Sequence, residues 1–505
     1  MPSELNFTPA HELAQRIRSK QLSPVELMQA CFDRIDETNE VLNAWTGTRD
    51  RDDLLAEARE MESRIARGED PGPLAGLPFG VKELEDLAGF PSTHASVPFR
   101  DHYPKGDSTQ VQRLKAAGAI AIGKTNSPEF GYTAISKNLL FGVSRNPWNP
   151  ERTPGGSSGG SSAAVAGGQV PFCTGSDGGG SVRIPASWCG MPGLKVSFGR
   201  IPMGPFEMLG WNDTSVYGPM VRTVRDAALY VDCVIGTSET DPNALPHPGY
   251  SYVEILDRLP KNLRIAWSPD LGYANVEPDV RRGCEDGVRA FEDMGYKVDE
   301  IGHIFDDLGV LWGRISSTGT YAQIYEKLAE ERDRFGHAFL TGALTAKKIT
   351  WDKYGEAQRA RAKLVNQLAD FFEKYDLLLT PTLPFDAIDA AAIGPPRSTG
   401  SRSRARCTWC RSRRRSTSPA TRRSACAAVS ATGTCRSAFK LSPDATATTS
   451  CSRPHTLSSR RARGTTAGPS KSPRWPCENR EPHRHCPPWR RPITPCATSG
   501  PASAA

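Results

Sequence analysis

Residues 154–186 read PGGSSGGSSAAVAGGQVPFCTGSDGGGSVRIPA. By composition they could be a flexible linker, since glycine and serine in any order suffice for one. The order argues for something more constrained. Apolar AAVA and QVPF interrupt the glycines, and the stretch runs directly into SVRIPASWCGMPGLK, which has the character of buried chain. The run Gly178-Gly179-Gly180-Ser181 would let several backbone N–H groups converge on one point, as an oxyanion site requires. On composition alone the two readings stand even.

The flanking sequence favours a folded scaffold. SPVELMQACFDRIDETNEVLNAW opens with Ser23 as an N-cap, Pro24 at the first helical position and Glu26 placed for a capping box. Leu27, Cys31, Ile35 and Leu42 then form a buried stripe. GLPFGVKELED reads as a short strand ending at Lys82. DSTQVQRLKAAGAIAIGKTN reads as a helix, a glycine turn and the strand AIAIG. The same rhythm returns at LRIAWSP, EPDVRRGCEDGVRAFEDMG and YKVDEI, followed by a long polar helical region and the strand YDLLLTP. Strands alternating with helices predict an α/β layer fold.

The net charge of +7 conceals a break near Pro396. Residues 397–505 hold 22 Lys and Arg against 3 Asp and Glu, a net of +19, which leaves residues 1–396 at −12. The tail has only four Ile, Leu or Val residues: Val429, Leu441, Leu457 and Ile493. A segment so poor in apolar side chains cannot offset its ordering entropy and is expected to be disordered as written. In the body, Cys31, Cys173, Cys189, Cys233 and Cys284 show no paired spacing, which suits a reducing compartment. The opening MPSELNFTPAHELAQRI lacks a basic region followed by an apolar one, and no run of about 18 apolar residues occurs, so a cytoplasmic location is expected.

The stretch resembles the signature of the amidase signature family, serine hydrolases with a Ser–Ser–Lys triad. Gly155-Gly156-Ser157-Ser158-Gly159-Gly160, then Gly175, Asp177, Gly179, Ser181, Val182, Arg183 and Pro185 fall at the family's spacing. Cys173 departs mildly, standing where a smaller residue is usual. The resemblance extends over most of residues 1–396, through GLPFGVKELEDLAG, GAIAIGKTNSPEFG and NPWNP. It implies a large mixed β-sheet core covered by helices on both sides, Ser181 as nucleophile, Ser157 as bridging serine and Lys82 as base. It also implies a cis peptide before the bridging serine. Gly178, Gly179 and Gly180 would supply oxyanion donors, with Ser158, Asp177 and Arg183 in support.

The chemistry stands beside the analogy. A serine hydroxyl is a weak nucleophile until a base takes its proton. Lysine serves only when neutral, and burial without a carboxylate partner lowers its pKa. A hydroxyl between the two can both donate and accept. For Asp177 and Arg183 a plain structural ion pair competes with a loop-orienting role. Trp188 and Cys189 read as core. Gly155-Gly156-Ser157-Ser158-Gly159 also fits G-x-S-x-G, but that elbow must follow a strand and NPWNPERTP is none. His11, His94, His102, His247, His303 and His337 show no metal or triad spacing; for His94, in the loop beyond Lys82, a pocket-lining place competes with a surface one, and the surface reading is favoured. No cofactor or metal is expected.

The expected activity is hydrolysis of a small-molecule amide through a seryl acyl-enzyme. The alternative is the glutaminase-type A subunit of a tRNA-dependent amidotransferase. Ile184, where that subunit often carries Gln, leans against it. A third reading, nucleic-acid binding through the basic tail, is not favoured, nor is zinc at Cys477, His483, His485, Cys486 and Cys496, which lack ligand spacing. No membrane partner is expected, and a homodimer is left open.

The resemblance also implies that the chain continues past residue 396 with a strand like LPVGLQIV. Residues 435–442 read CRSAFKLS instead, and a one-nucleotide offset in permitted codons converts that into LPVGLQIV. The same offset recovers YLVPFTSPFNLTGHP from residues 408–422 and an acidic amphipathic helix from residues 448–468. Residues 1–396 therefore read as an amidase signature domain lacking its C-terminal part, and residues 397–505 as an out-of-frame translation.

Overall fold

The computed structural model describes residues 4–206 and 214–392. The tail beyond Pro396, with its expected disorder, its frame and its candidate nucleic-acid and zinc residues, lies outside the described residues.

Among the described residues, ten strands run in chain order: β1 (Trp45–Thr48), β2 (Pro78–Lys82), β3 (Ile120–Thr125), β4 (Lys137–Asn138), β5 (Gly142–Val143), β6 (Phe172–Asp177), β7 (Val216–Val221), β8 (Ile265–Trp267), β9 (Val298–Glu300) and β10 (Leu377–Leu379). The helices are α1 (Ala10–Arg18), α2 (Pro24–Leu42), α3 (Arg51–Ala66), α4 (Thr109–Ala116), α5 (Gly159–Ala166), α6 (Arg183–Cys189), α7 (Val224–Val234), α8 (Tyr252–Ile255), α9 (Pro278–Asp293), α10 (Gly309–Glu331), α11 (His337–Ala343) and α12 (Trp351–Lys374). The cap read at Ser23 forms: its Oγ accepts from Val25 N at 3.0 Å, and its N–H donates to Glu26 Oε2 at 3.1 Å. Leu27, Cys31, Ile35 and Leu42 are all buried.

The main sheet has the order β1-β3-β2-β6-β7. Its centre is parallel, β2 lying between β3 and β6, and its outer strands β1 and β7 run antiparallel to their neighbours. Strands β2, β3 and β7 are buried at every position, so both faces of the sheet are covered. Helices α2, α3, α5 and α7 pack against it. The described strands do not form one large sheet: β10-β8-β9 make a separate parallel sheet of three. Alternation along β8 explains how this small sheet holds its helices. Ile265 and Trp267 join Val280 and Cys284 of α9, whereas Ala266 joins Leu364 and Leu368 of α12.

The Gly/Ser stretch is not a linker. Residues 153–165 are buried without interruption. Their serines bond inward: Ser161 with Thr125 Oγ1 at 2.7 Å, and Ser162 Oγ to Pro185 O at 2.9 Å.

Candidate active site

Parallel neighbours end on the same side of a sheet, so the C-terminal ends of β2 and β6 come together. Lys82 closes β2, and Ser176 and Asp177 close β6. Backbone N–H of Lys82 donates to Thr174 Oγ1 at 2.9 Å, tying the two strands at that end. The turn before α5 brings Ser157 to the same point, behind a cis Gly156–Ser157 peptide. The turn before α6 brings Ser181, whose carbonyl accepts from Ser158 N at 3.2 Å.

Lys82 is fully buried. Its Nζ donates to Ser157 Oγ at 2.8 Å, to Ser176 Oγ at 2.9 Å and to Ser176 O at 3.2 Å. Among the described residues it has no carboxylate partner. Burial therefore pushes its pKa far down, to about 7, against a weaker upward pull from the charges of Glu85 and Asp177. Among the described residues the Ser181 hydroxyl makes no hydrogen bond. Lys82 and Ser157 are thus hydrogen-bonded to one another, and Ser157 is not hydrogen-bonded to the Ser181 hydroxyl.

Asp177 organises the loop that follows. Its Oδ1 accepts from Gly180 N at 2.8 Å and its Oδ2 from Val182 N at 3.1 Å. Arg183 grips the same carboxylate through Nε at 2.9 Å and Nη2 at 2.8 Å. Burial alone would raise this carboxyl, but Arg183 holds it well below the usual range. The ion pair and the loop-orienting role are therefore one arrangement. The expectation for Gly180 needs correction: its N–H is turned onto Asp177, not toward the nucleophile. Gly180 instead supplies the bend, at φ +118°, that glycine adopts readily. The N–H groups of Gly178, Gly179 and Ser181 donate to no acceptor among the described residues and remain for a ligand. Ser158 sits one residue beyond the relay, its Oγ 3.4 Å from both Ser176 N and Ser176 O, where it holds the end of β6.

Three residues escaped the sequence reading. Ser176 gives Lys82 its second hydroxyl contact. Gly131 packs so closely that an added Cβ would lie 3.0 Å from Ser157 Oγ. Trp312 of α10 lies over Gly179, where an added Cβ would meet its ring at 2.6 Å. Neither glycine nor tryptophan carries a spacing signal that points to a distant serine. His94 is half-buried, stacking on Phe130 at 5.0 Å and meeting Phe99 edge-on at 5.9 Å. Burial pushes its pKa down to about 3, so it is neutral. Trp188 and Cys189 are core, as read. Among the described residues, Cys31, Cys173, Cys189 and Cys233 are free thiols.

Among the described residues, no helix is long and apolar enough to cross a membrane, and no three His, Cys, Asp or Glu side chains converge as a metal site requires.

Comparison with known proteins follows the same lines. The sequence model of the Amidase family matches residues 26–410. An acylamidase of Rhodococcus erythropolis is 37% identical over 382 residues, covering 75% of this chain and 80% of that protein. The A subunit of the glutamyl-tRNA(Gln) amidotransferase of Carboxydothermus hydrogenoformans is 33% identical over 409 residues, covering 76% of this chain and 84% of that one. Among solved structures, a bacterial aryl acylamidase of the amidase signature enzymes superposes with a TM-score of 0.74 at 29% identity, covering 78% of this chain and 84% of that one.

Proposed function

We propose a mechanism for a chain that belongs to the amidase signature family and is a hydrolase of carboxylic amides. Ser181 Oγ attacks the amide carbonyl carbon. Its proton passes to Ser157 Oγ, which gives its own proton to neutral Lys82 Nζ. The tetrahedral oxyanion sits against the N–H groups of Gly178, Gly179 and Ser181, each such donor contributing roughly 10²–10³ in rate. Collapse breaks the C–N bond, and the leaving amine takes back the proton from Lys82 through Ser157. Water then attacks the seryl ester, its proton passing through Ser157 to Lys82, and collapse returns that proton to Ser181 Oγ and releases the carboxylic acid, which ionises.

One observation carries this reading: a lysine buried without a carboxylate, 2.8 Å from a serine hydroxyl. A lysine in that setting is a base rather than an ion-pair partner. The test is release of ammonia or amine from simple aliphatic and aryl amides by the full chain, with a pre-steady-state burst marking the acyl-enzyme. Ser181→Ala should abolish both. Turnover that survives this substitution would end the assignment of the nucleophile. The likeness to amidotransferase A subunits supports a second reading, glutamine hydrolysis in the service of a transfer reaction. Glutamine as the preferred substrate would favour it, whereas preference for aryl or alkyl amides selects the acylamidase reading.

The extent of the domain, residues 1–396, and the shifted frame beyond it belong to the same proposal. They are supported by the change in charge and apolar content at that point.

A further inference from the structure

The loop after β2 carries three acids within four residues, Glu83, Glu85 and Asp86, and their surroundings differ. Glu83 has both oxygens satisfied, Oε1 by Thr93 Oγ1 and Oε2 by Thr46 Oγ1, each at 2.6 Å. Asp86 accepts from the Ser92 hydroxyl. Glu85, 1% exposed, accepts at Oε2 from Gln110 Nε2 at 2.8 Å, but its Oε1 is buried with no donor. Gln110, fully buried on α4, has the complementary defect, since its Oε1 also lacks a donor. The nearby ammonium of Lys124 goes to the backbone carbonyl of Glu85 and not to its carboxyl.

When a planar amide meets a planar carboxyl through the N–H on the same side as its own carbonyl, the two remaining oxygens fall on the same edge, and both of those oxygens are buried without donors here. Two acceptors then face one another, each costing the desolvation of an unsatisfied group. Turning the Gln110 amide over exchanges the atoms and leaves the same conflict. One proton on the carboxyl removes both defects at once, because a protonated carboxyl donates one hydrogen bond and accepts another.

We propose that Glu85 is held as a neutral carboxylic acid, its proton on Oε1 and donated to Gln110 Oε1, and that it thereby keeps an anion away from Lys82. The second half rests on Lys82 being the base. Glu85 is then a positioning residue that acts through Lys82. The groups around it are Lys82 on β2, Lys124 on β3, Thr174 on β6, Glu83 and Asp86 in the same loop, Tyr217 on β7 and Tyr230 on α7. The charge of Lys124 is balanced first by Glu83 and Asp86 and last by Glu85. Burial raises the Glu85 carboxyl well above the usual range, against the opposing pull of Gln110, Thr174, Lys82 and Lys124. An ionised Glu85 would favour protonated Lys82 and so disable it.

The test is the infrared spectrum of the full chain at neutral pH, set against Glu85→Gln and Gln110→Met. The parent should show a protonated-carboxyl C=O band that is sensitive to deuteration. That band should be missing from Glu85→Gln and displaced in Gln110→Met, where the O–H has lost its acceptor. A parent spectrum containing no band that Glu85→Gln removes overturns the proposal. The acid limb of the kcat/KM profile gives a second reading: it should hold its position in Glu85→Gln. A move of about one pH unit or more to lower pH would mean that an anion had been taken from beside Lys82, which also overturns it. The infrared result needs no turnover, so it stands or falls apart from the assignment of Lys82 as base.

Discussion

Replacing Asp177 by Asn separates the two jobs that one carboxylate does. Asp177 is fully buried, and the Arg183 side chain is 12% exposed, so neither charge has water as an alternative partner. Five donors converge on the two oxygens: Gly180 N and Arg183 Nη2 on one, and Val182 N, Arg183 Nε and, at 3.4 Å, Arg183 N on the other. An amide keeps one acceptor and turns an NH2 toward the other set, so at least two donors are stranded whichever way it lies. Removing one partner of a buried pair leaves an uncompensated charge, and the expected loss of stability is about 3–5 kcal/mol. The loop that presents Gly178, Gly179 and Ser181 also loses its anchor, and kcat should fall by about 10²–10³, the effect of one lost oxyanion donor. Urea unfolding measures the first quantity, and turnover per titrated active site measures the second. Adding Arg183→Met to Asp177→Asn should recover much of the stability by removing the stranded charge, while leaving the rate low. Stability should also respond to pH. The carboxyl is held below its ordinary value, so the pair's contribution is present above about pH 4 and is lost as pH falls below it. The variant should lack that part of the pH dependence. If folded Asp177→Asn kept kcat within about threefold of the parent, well short of one lost donor, the loop-organising argument would fail. The pair would then be structural only.

Three other outcomes are expected. The acid limb of kcat/KM should fall near pH 7, because Lys82 is neutral above its depressed pKa, and the rate should drop about tenfold per unit below it; a limb near the ordinary lysine value would refute the base assignment. Gly131→Ala places a Cβ 2.6 Å from Leu84 Cδ1 and 3.0 Å from Ser157 Oγ at φ +66°, so it should cost about 1–2 kcal/mol in urea unfolding and lower kcat with KM little changed; a KM effect alone would place Gly131 in substrate binding instead. Sequencing the gene across the codon for Pro396 should reveal one missing nucleotide relative to a frame encoding LPVGLQIV, and an unbroken frame there would refute the shift.

What the sequence could and could not say follows from the kind of information spacing carries. Lys82, Ser157 and Ser181 were nameable because the family pattern fixes their order along the chain, and the strand ending at Lys82 was legible, whereas β6 was not read as a strand. The register between those strands is a different matter. Only the pairing of Phe79 with Phe172 and of Gly80 with Cys173 sets Ser176 level with the lysine ammonium. Nothing in residues 172–177 distinguishes that serine from one facing the opposite way. The direction of a single N–H is less visible still. Gly178, Gly179 and Gly180 are identical in sequence, and the difference between a free amide and one bound to Asp177 arises from a bend that any glycine could make. Glu85 shows the same limit across a longer span. Its unusual surroundings come from Gln110, 25 residues away on α4. A run of three acids in a loop otherwise reads as solvated charge. The residues proposed to act on substrate were therefore legible as a motif. Those that set the charge of the base became visible only when the helices and strands around Lys82 closed over it and left particular oxygens without donors.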